Sequence, residues 1–207
     1  MALDHSCQVQ RHTHAERGHD LYTTPDCATE TLLRHERLPV RLWEPACGPG
    51  CPPAMVAVLR RAGHDVYSSD LVNYGDDPGA HYGVDFLQLK SAPPEYGDAI
   101  VTNPPFKLAT LFAAKALELV PKVWLLMRLA FLEAGDADST SLVRRLRSQV
   151  LDGGALARIH VFRRRLPMMH RDGWSGRKSN SGMAFAWMCW DADHRGPATV
   201  DRISWDK

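Results

Sequence analysis

Nowhere in its 207 residues does the chain carry a run of 18 apolar residues, so it has no segment suited to span a bilayer as a hydrophobic helix and no membrane partner is expected. Cysteines are few and odd in number: Cys7, Cys27, Cys47, Cys51 and Cys189. A chain of this length that is 44% hydrophobic buries a full core without covalent staples, so a reduced, cytoplasmic protein is the simplest account. Cys47 and Cys51 have no second pair at ligand spacing, and the histidines are scattered or crowd the amino terminus; no metal site is expected. Residues 1–20 are polar and His-rich without an apolar core segment, which excludes a secretory signal and reads as a flexible arm. Internal repeats and low-complexity tracts are missing, and residues 21–207 are expected to form a single domain.

Net charge is also nearly absent, +1 overall, yet it is unevenly spread. From Arg144 to Lys178 ten basic residues face two acidic ones, a local +8 that leaves −7 for the remainder. Such asymmetry points to a polyanionic partner; its bland alternative is a solvated face. The densest part is a long loop, 163–181, that holds Arg163, Arg164, Arg165, His170, Arg171, Trp174, Arg177 and Lys178. Trp174 reads either as an anchor for that loop or as a wedge into a nucleic acid.

Two phosphate-binding fingerprints are absent as well, the dinucleotide Gly-x-Gly-x-x-Gly and the P-loop Lys-Ser/Thr. What stands in their place is Val40–Trp43, a short predicted strand, then Glu44-Pro45-Ala46-Cys47-Gly48-Pro49-Gly50 and a helix opened by Pro52-Pro53. A glycine turn between strand and helix lets a ligand approach the backbone near a helix amino end. A second strand, His64–Asp70, ends in a carboxylate placed to accept the hydroxyls of a ribose. A third short strand, in 83–87, carries Asp85-Phe86, a pair able to bracket an adenine.

The element that organises the rest is Asn103-Pro104-Pro105-Phe106. It ends the apolar run Asp98–Thr102 and precedes Leu108, Leu111, Phe112, Ala116 and Leu119, which recur at helical spacing, so the stretch reads as strand, loop and helix. Consecutive prolines fix φ and remove two donors, which makes the loop stiff. It would hold an amide and an aromatic ring at the carboxyl end of a strand, where open α/β sheets bind ligands, and so grip a planar, amino-bearing group. Upstream, Thr24 and Pro25 read as the N-cap and first residue of a helix. Downstream, Val123–Met127 is a fifth strand and 139–150 a basic helix with Leu142, Val143, Leu146 and Val150 inward and Arg144, Arg145 and Arg147 outward. Ala155–Phe162 is a sixth strand and Gly182–Trp190 a seventh, apolar enough to lie inside the sheet.

In their order, Glu44 to Gly50, Asp70, Asp85-Phe86 and Asn103 to Phe106 resemble the motifs of class I S-adenosylmethionine-dependent methyltransferases. The Asn-Pro-Pro-Phe form resembles the branch that methylates amino nitrogens. Tyr22-Thr23-Thr24-Pro25, Pro167-Met168-Met169-His170 and Phe185-Ala186-Trp187 are similar to segments of small phage- and prophage-type adenine-N6 DNA methyltransferases with the motif order of the γ group. The resemblance covers about Leu21 to Trp190 and implies a Rossmann-like α/β fold with a seven-stranded, mostly parallel sheet and helices on both faces. It implies S-adenosyl-L-methionine as cofactor, with Tyr22, Thr23 and Thr24 at its carboxylate or amino group and Glu44, Pro45, Ala46, Gly48 and Gly50 at the methionine part. Asp70 and Leu71 would lie at the ribose, Asp85 and Phe86 at the adenine, and Asn103 beside the cofactor. It also implies that Asn103 and the Pro104 carbonyl accept the target amine's hydrogens while Pro105 stiffens the loop and Phe106 stacks on a flipped base. The expected activity is methylation of adenine N6 in DNA, with the basic loop on phosphates. The chain departs from that family in lacking a separate target-recognition domain; only 163–181 and 128–138 are left to read bases. Alternatives are methylation of RNA at adenine N6 or guanine N2, methylation of a protein glutamine, and a catalytically silent nucleic-acid-binding module.

Overall fold

A computed structural model describes residues 22–133, 135–168 and 182–206. Within them one sheet contains β1 Arg41–Glu44, β2 Asp65–Asp70, β3 Ala80–Tyr82, β4 Ala99–Thr102, β5 Lys122–Arg128, β6 Leu156–Phe162, β7 Phe185–Asp191 and β8 Thr199–Ile203. Their order is β3-β2-β1-β4-β5-β7-β6-β8. All neighbours run parallel except β7, which is antiparallel to both β5 and β6. The chain leaves β1 toward β2 and β3, then returns to lay β4 against the other side of β1. That reversal makes the carboxyl ends of β1 and β4 a topological switch point, where a crevice opens.

Period-two alternation splits the core between two layers. Trp124 and Leu126 of β5 and Phe185, Trp187 and Cys189 of β7 pack with Ala28 and Leu32 of α1 (Asp26–His35) and Val56 and Leu59 of α2 (Ala54–Arg61). On the other face Val123, Leu125, Met127, Met188 and Trp190 meet Phe112, Ala113 and Ala116 of α3 (Ala109–Leu119) and Val150 of α4 (Leu142–Asp152). With both faces covered, β4 and β7 read as near-continuous apolar runs, and β7 lies inside the sheet as its composition predicts. Among the described residues no helix is long and apolar enough to cross a membrane. The arm assigned to 1–20 lies outside the described residues.

Four sequence expectations need correction. The sheet has eight strands rather than seven: β8 was missed because only Ile203 of its five residues is buried, so it shows no alternating apolar signal. The third strand lies at Ala80–Tyr82, and Phe86–Gln88 is a 3-10 turn. Pro25, not Thr24, occupies the N-cap of α1, without a side-chain cap bond. Finally α4 is rolled about its axis: Leu142 and Val143 are 57% and 44% exposed. Arg147 turns inward, bonding the Thr110 hydroxyl and the Glu133 carbonyl and lying 4.8 Å over the Phe131 ring. An arginine stem and guanidinium cover an aromatic face as well as a leucine does.

The far end of α1 is pinned by a buried charge cluster. Glu36 accepts from Arg158 at 2.6 and 2.9 Å, from the Trp124 indole at 3.1 Å, and shares a 2.7 Å contact with His160. Burial pushes its carboxyl up, but hydrogen bonds from His160, Arg158 and Trp124 prevail and hold it at about 2, below the ordinary 4.5. Because the folded value is depressed, the stabilisation is present above pH 4.5 and is lost as pH falls toward 2. Glu36→Ala is expected to cost about 3–5 kcal/mol by leaving Arg158 and His160 without their acceptor. Urea unfolding at neutral pH and at pH 3 checks both statements: the deficit of the alanine variant should shrink in acid.

Candidate active site

β1 ends in a buried carboxyl. Glu44, 1% exposed, accepts from the Thr102 hydroxyl at 2.5 Å and from the Ala46 amide at 3.1 Å through one oxygen. Its other oxygen is buried without a partner. Burial pushes the Glu44 carboxyl up to about 8; Asp70 raises it further, and the Thr102 and Ala46 bonds only partly oppose this. It therefore keeps its proton at neutral pH.

The glycine turn after β1 is shaped by close approach. Gly50 sits at φ +117°, and a Cβ there would come within 3.1 Å of the Pro52 carbonyl and 3.3 Å of Pro53 Cα, so any side chain would be strained. Gly48, at φ +71°, donates its amide to Asp70 at 2.9 Å, while the other Asp70 oxygen accepts from Val72 at 2.8 Å. Those two bonds tie the end of β2 to the turn and fix the carboxylate at its rim. Burial, with Glu44 and Asp70 nearby, raises the Cys47 thiol well above its usual range, which makes it unreactive. Asp85 caps the short turn after β3 through the Leu87 amide at 3.1 Å. Phe86, 2% exposed, packs edge-on to Trp43 and 4.8 Å from Phe112.

At the end of β4 the Asn103 amide donates to the Tyr22 carbonyl at 3.0 Å. That bond turns Asn103 Oδ1 the other way, where it is buried with no hydrogen-bond partner. An unpaired buried acceptor is costly, and a donor brought to it would be held firmly. Phe106 stands beside this amide in a stack of its own. The Tyr22 ring lies 4.3 Å away at 40°, Phe185 of β7 lies 5.6 Å away, and the Arg128 guanidinium covers the ring at 4.0 Å.

These residues surround one cavity at the carboxyl edge of the sheet. Tyr22, Thr23, Thr24, Glu44, Pro45, Ala46, Gly48, Asp70, Leu71, Asp85, Phe86, Asn103 and Pro105 all line it; Gly50, Pro104 and Phe106 do not. Met55, Tyr74, Val84 and Leu108 also line it and escaped sequence reading, since each looks like ordinary core or loop. Arg128, expected only as the first residue of the 128–138 connection, is the last residue of β5 and covers Phe106. The donor set fits a cationic nucleoside such as S-adenosyl-L-methionine: two unpaired buried oxygens and the carboxyls of Glu44, Asp70 and Asp85 share the cavity wall, and among the described residues no lysine or arginine does.

β6 runs parallel to β5 through the intervening β7, so Arg163, Arg164 and Arg165 leave the sheet at this same edge. All three are exposed, and Arg164 pairs with Asp206 at 2.5 Å. His170, Arg171, Trp174, Arg177 and Lys178, assigned to the nucleic acid, lie outside the described residues.

No protein-family model matches the chain, and no curated protein matches it in sequence. Solved structures do match. A proposed hemolysin from Streptococcus thermophilus superposes with a TM-score of 0.54 at 13% identity, over 87% of this chain and 69% of that one. A proposed RNA methyltransferase from Pyrococcus horikoshii gives 0.51 at 15% identity, over 87% and 90%. At such identities the shared property is the architecture alone, a Rossmann-like α/β fold.

Proposed function

We propose that this chain transfers a methyl group from S-adenosyl-L-methionine to the exocyclic amine of a nucleobase, N6 of adenine in DNA. The observation that carries this reading is the Asn103 amide. One side is anchored to the Tyr22 carbonyl, and the other offers an unpaired buried acceptor beside a cavity suited to a cationic nucleoside. Asp70 would hold the ribose, Asp85 and the Phe86 pocket the adenine, and Glu44 with the glycine turn the methionine end. When bound there, the cofactor supplies a methyl group on a positively charged sulfur.

An aromatic amine is a weak nucleophile because its lone pair is delocalised into the ring. Asn103 Oδ1 and the Pro104 carbonyl accept its two hydrogens, favour a more tetrahedral nitrogen and aim the lone pair at the cofactor side. The proton released on methylation passes to water. Positioning of this kind is worth up to about 7–11 kcal/mol of barrier, and it needs the base to leave its stack. The exposed Arg163 and Arg165 at the same edge supply charge for the phosphates, so binding should weaken steeply with salt.

RNA is the second reading, supported by the likeness of the Pyrococcus protein. Mass spectrometry of modified bases, in DNA and in RNA from cells expressing wild type or Asn103→Ala, decides between them. N6-methyladenine in DNA that depends on Asn103 is the expected result. Methylated RNA with unmodified DNA would overturn the DNA assignment, and no gain in either polymer, with no cofactor binding in calorimetry, would overturn the activity.

A further inference from the structure

Arg128 stands where the proposed function needs a base. It closes β5 opposite Phe185, and its guanidinium carbon lies 4.0 Å from the centre of the Phe106 ring. That is the separation at which a flat group stacks on an aromatic face, so a base and this guanidinium cannot share the same face of the ring.

Its polar tethers are weak beside those of Arg158 and Arg147. Arg158 holds Glu36 through bonds of 2.6 and 2.9 Å, and Arg147 makes two bonds to Thr110 and one to a carbonyl. Arg128 has a 3.4 Å contact with the Tyr22 hydroxyl, its Nε is buried without an acceptor, and no carboxylate among the described residues pairs with it. A guanidinium left with an unsatisfied N–H is under pressure to move to a better acceptor. The sheet edge from which it projects also carries Arg163 and Arg165, where phosphates would pass.

We propose that Arg128 is a placeholder for the target base: its guanidinium covers the stacking face of Phe106 until a nucleotide arrives, then swings off to bind a phosphate of the extruded strand. This rests on the methyltransferase reading and adds to it a residue that acts before and after base insertion. While seated, Arg128 keeps water off the ring and disfavours a free nucleobase. Once displaced, it recovers a charge-assisted bond that only a polynucleotide offers. The arrangement thus selects a polymer over a loose nucleoside.

Arg128→Ala and Arg128→Lys test this against wild type, with free 2′-deoxyadenosine and a short adenine-containing oligonucleotide as probes. Alanine should bind the nucleoside about three- to tenfold tighter and the oligonucleotide more weakly. Its slope of log K against log salt should fall by about 0.7 to 0.9, the loss of one phosphate contact. Lysine, which keeps charge but not the plane, should retain the salt slope and still admit the nucleoside; it also serves if the alanine variant fails to fold. A merely structural Arg128 would weaken both ligands together, and an inert one would change neither; either result overturns the proposal. Wild type that binds S-adenosylmethionine and transfers methyl groups while the variants show no opposed shift refutes the placeholder alone. Wild type that binds no cofactor refutes the functional reading beneath it.

Discussion

Asn103→Ala is expected to lower methyl transfer by about 10²–10³-fold while changing the affinity for S-adenosylmethionine by less than about threefold. The asymmetry follows from where the amide is held. Its nitrogen is committed to the Tyr22 carbonyl at 3.0 Å, and its oxygen is the group without a partner. Alanine removes the acceptor that would align the amine, but the Asp70 cradle on Gly48 and Val72 and the cap at Asp85 stay in place. Asn103→Asp separates the two ends of the side chain. It keeps an acceptor for the amine but sets a carboxylate oxygen against the Tyr22 carbonyl, so the side chain should turn and activity should fall between wild type and alanine. Single-turnover transfer with labelled cofactor, alongside calorimetry, reads both quantities. Unimpaired transfer by the alanine variant would remove Asn103 from the chemistry.

Local pattern carries far in this chain, and it stops where distance or burial begins. The strand before Asn103 and the helix after it were legible from an apolar run, two prolines and a 3.6 spacing. The interior place of β7 was legible from the nearly continuous apolar run Gly182–Trp190, and six consecutive residues of the strand are buried. β8 was illegible because a parallel edge strand with four exposed residues shows no periodicity. The roll of α4 was misread because Arg147 was counted as polar, whereas its stem and guanidinium pack on Phe131. At the site the motif residues could be named, but not their condition. The bond from Asn103 to Tyr22 spans 81 positions and the contact of Arg128 with Tyr22 spans 106, so which oxygen is left unpaired, and what covers Phe106, arise only from packing. Glu44 is the sharpest case: the sequence shows an acid, and burial makes it a neutral group.

Glu44→Gln is therefore expected to raise stability in mildly alkaline solution. The carboxyl is near 4.5 in the unfolded chain and about 8 in the folded one. Below pH 4.5 both states hold the proton and the group contributes no pH dependence. Between 4.5 and 8 only the folded state holds it, so unfolding releases a proton and stability falls with rising pH, by up to about 1.4 kcal/mol per pH unit. Above 8 both states are ionised and the penalty stays constant. Glutamine keeps the Ala46 and Thr102 partners within reach and has no charge to bury, so its stability should run flat across this window and exceed wild type at pH 8. Urea unfolding from pH 5 to 9 measures the difference, and parallel curves would show that Glu44 is ionised in the folded chain. The same proton should report on the cofactor. A sulfonium and an ammonium brought into this cavity favour the charged carboxylate, so binding S-adenosylmethionine to wild type near neutral pH should expel a proton and tighten as pH rises. S-adenosylhomocysteine, without the sulfonium charge, should expel less. Calorimetry in buffers of different ionisation enthalpy counts those protons. A release that persists unchanged in Glu44→Gln would place the titrating group elsewhere in the cavity wall, whereas its loss would make the first turn after β1 the place where cofactor charge is sensed.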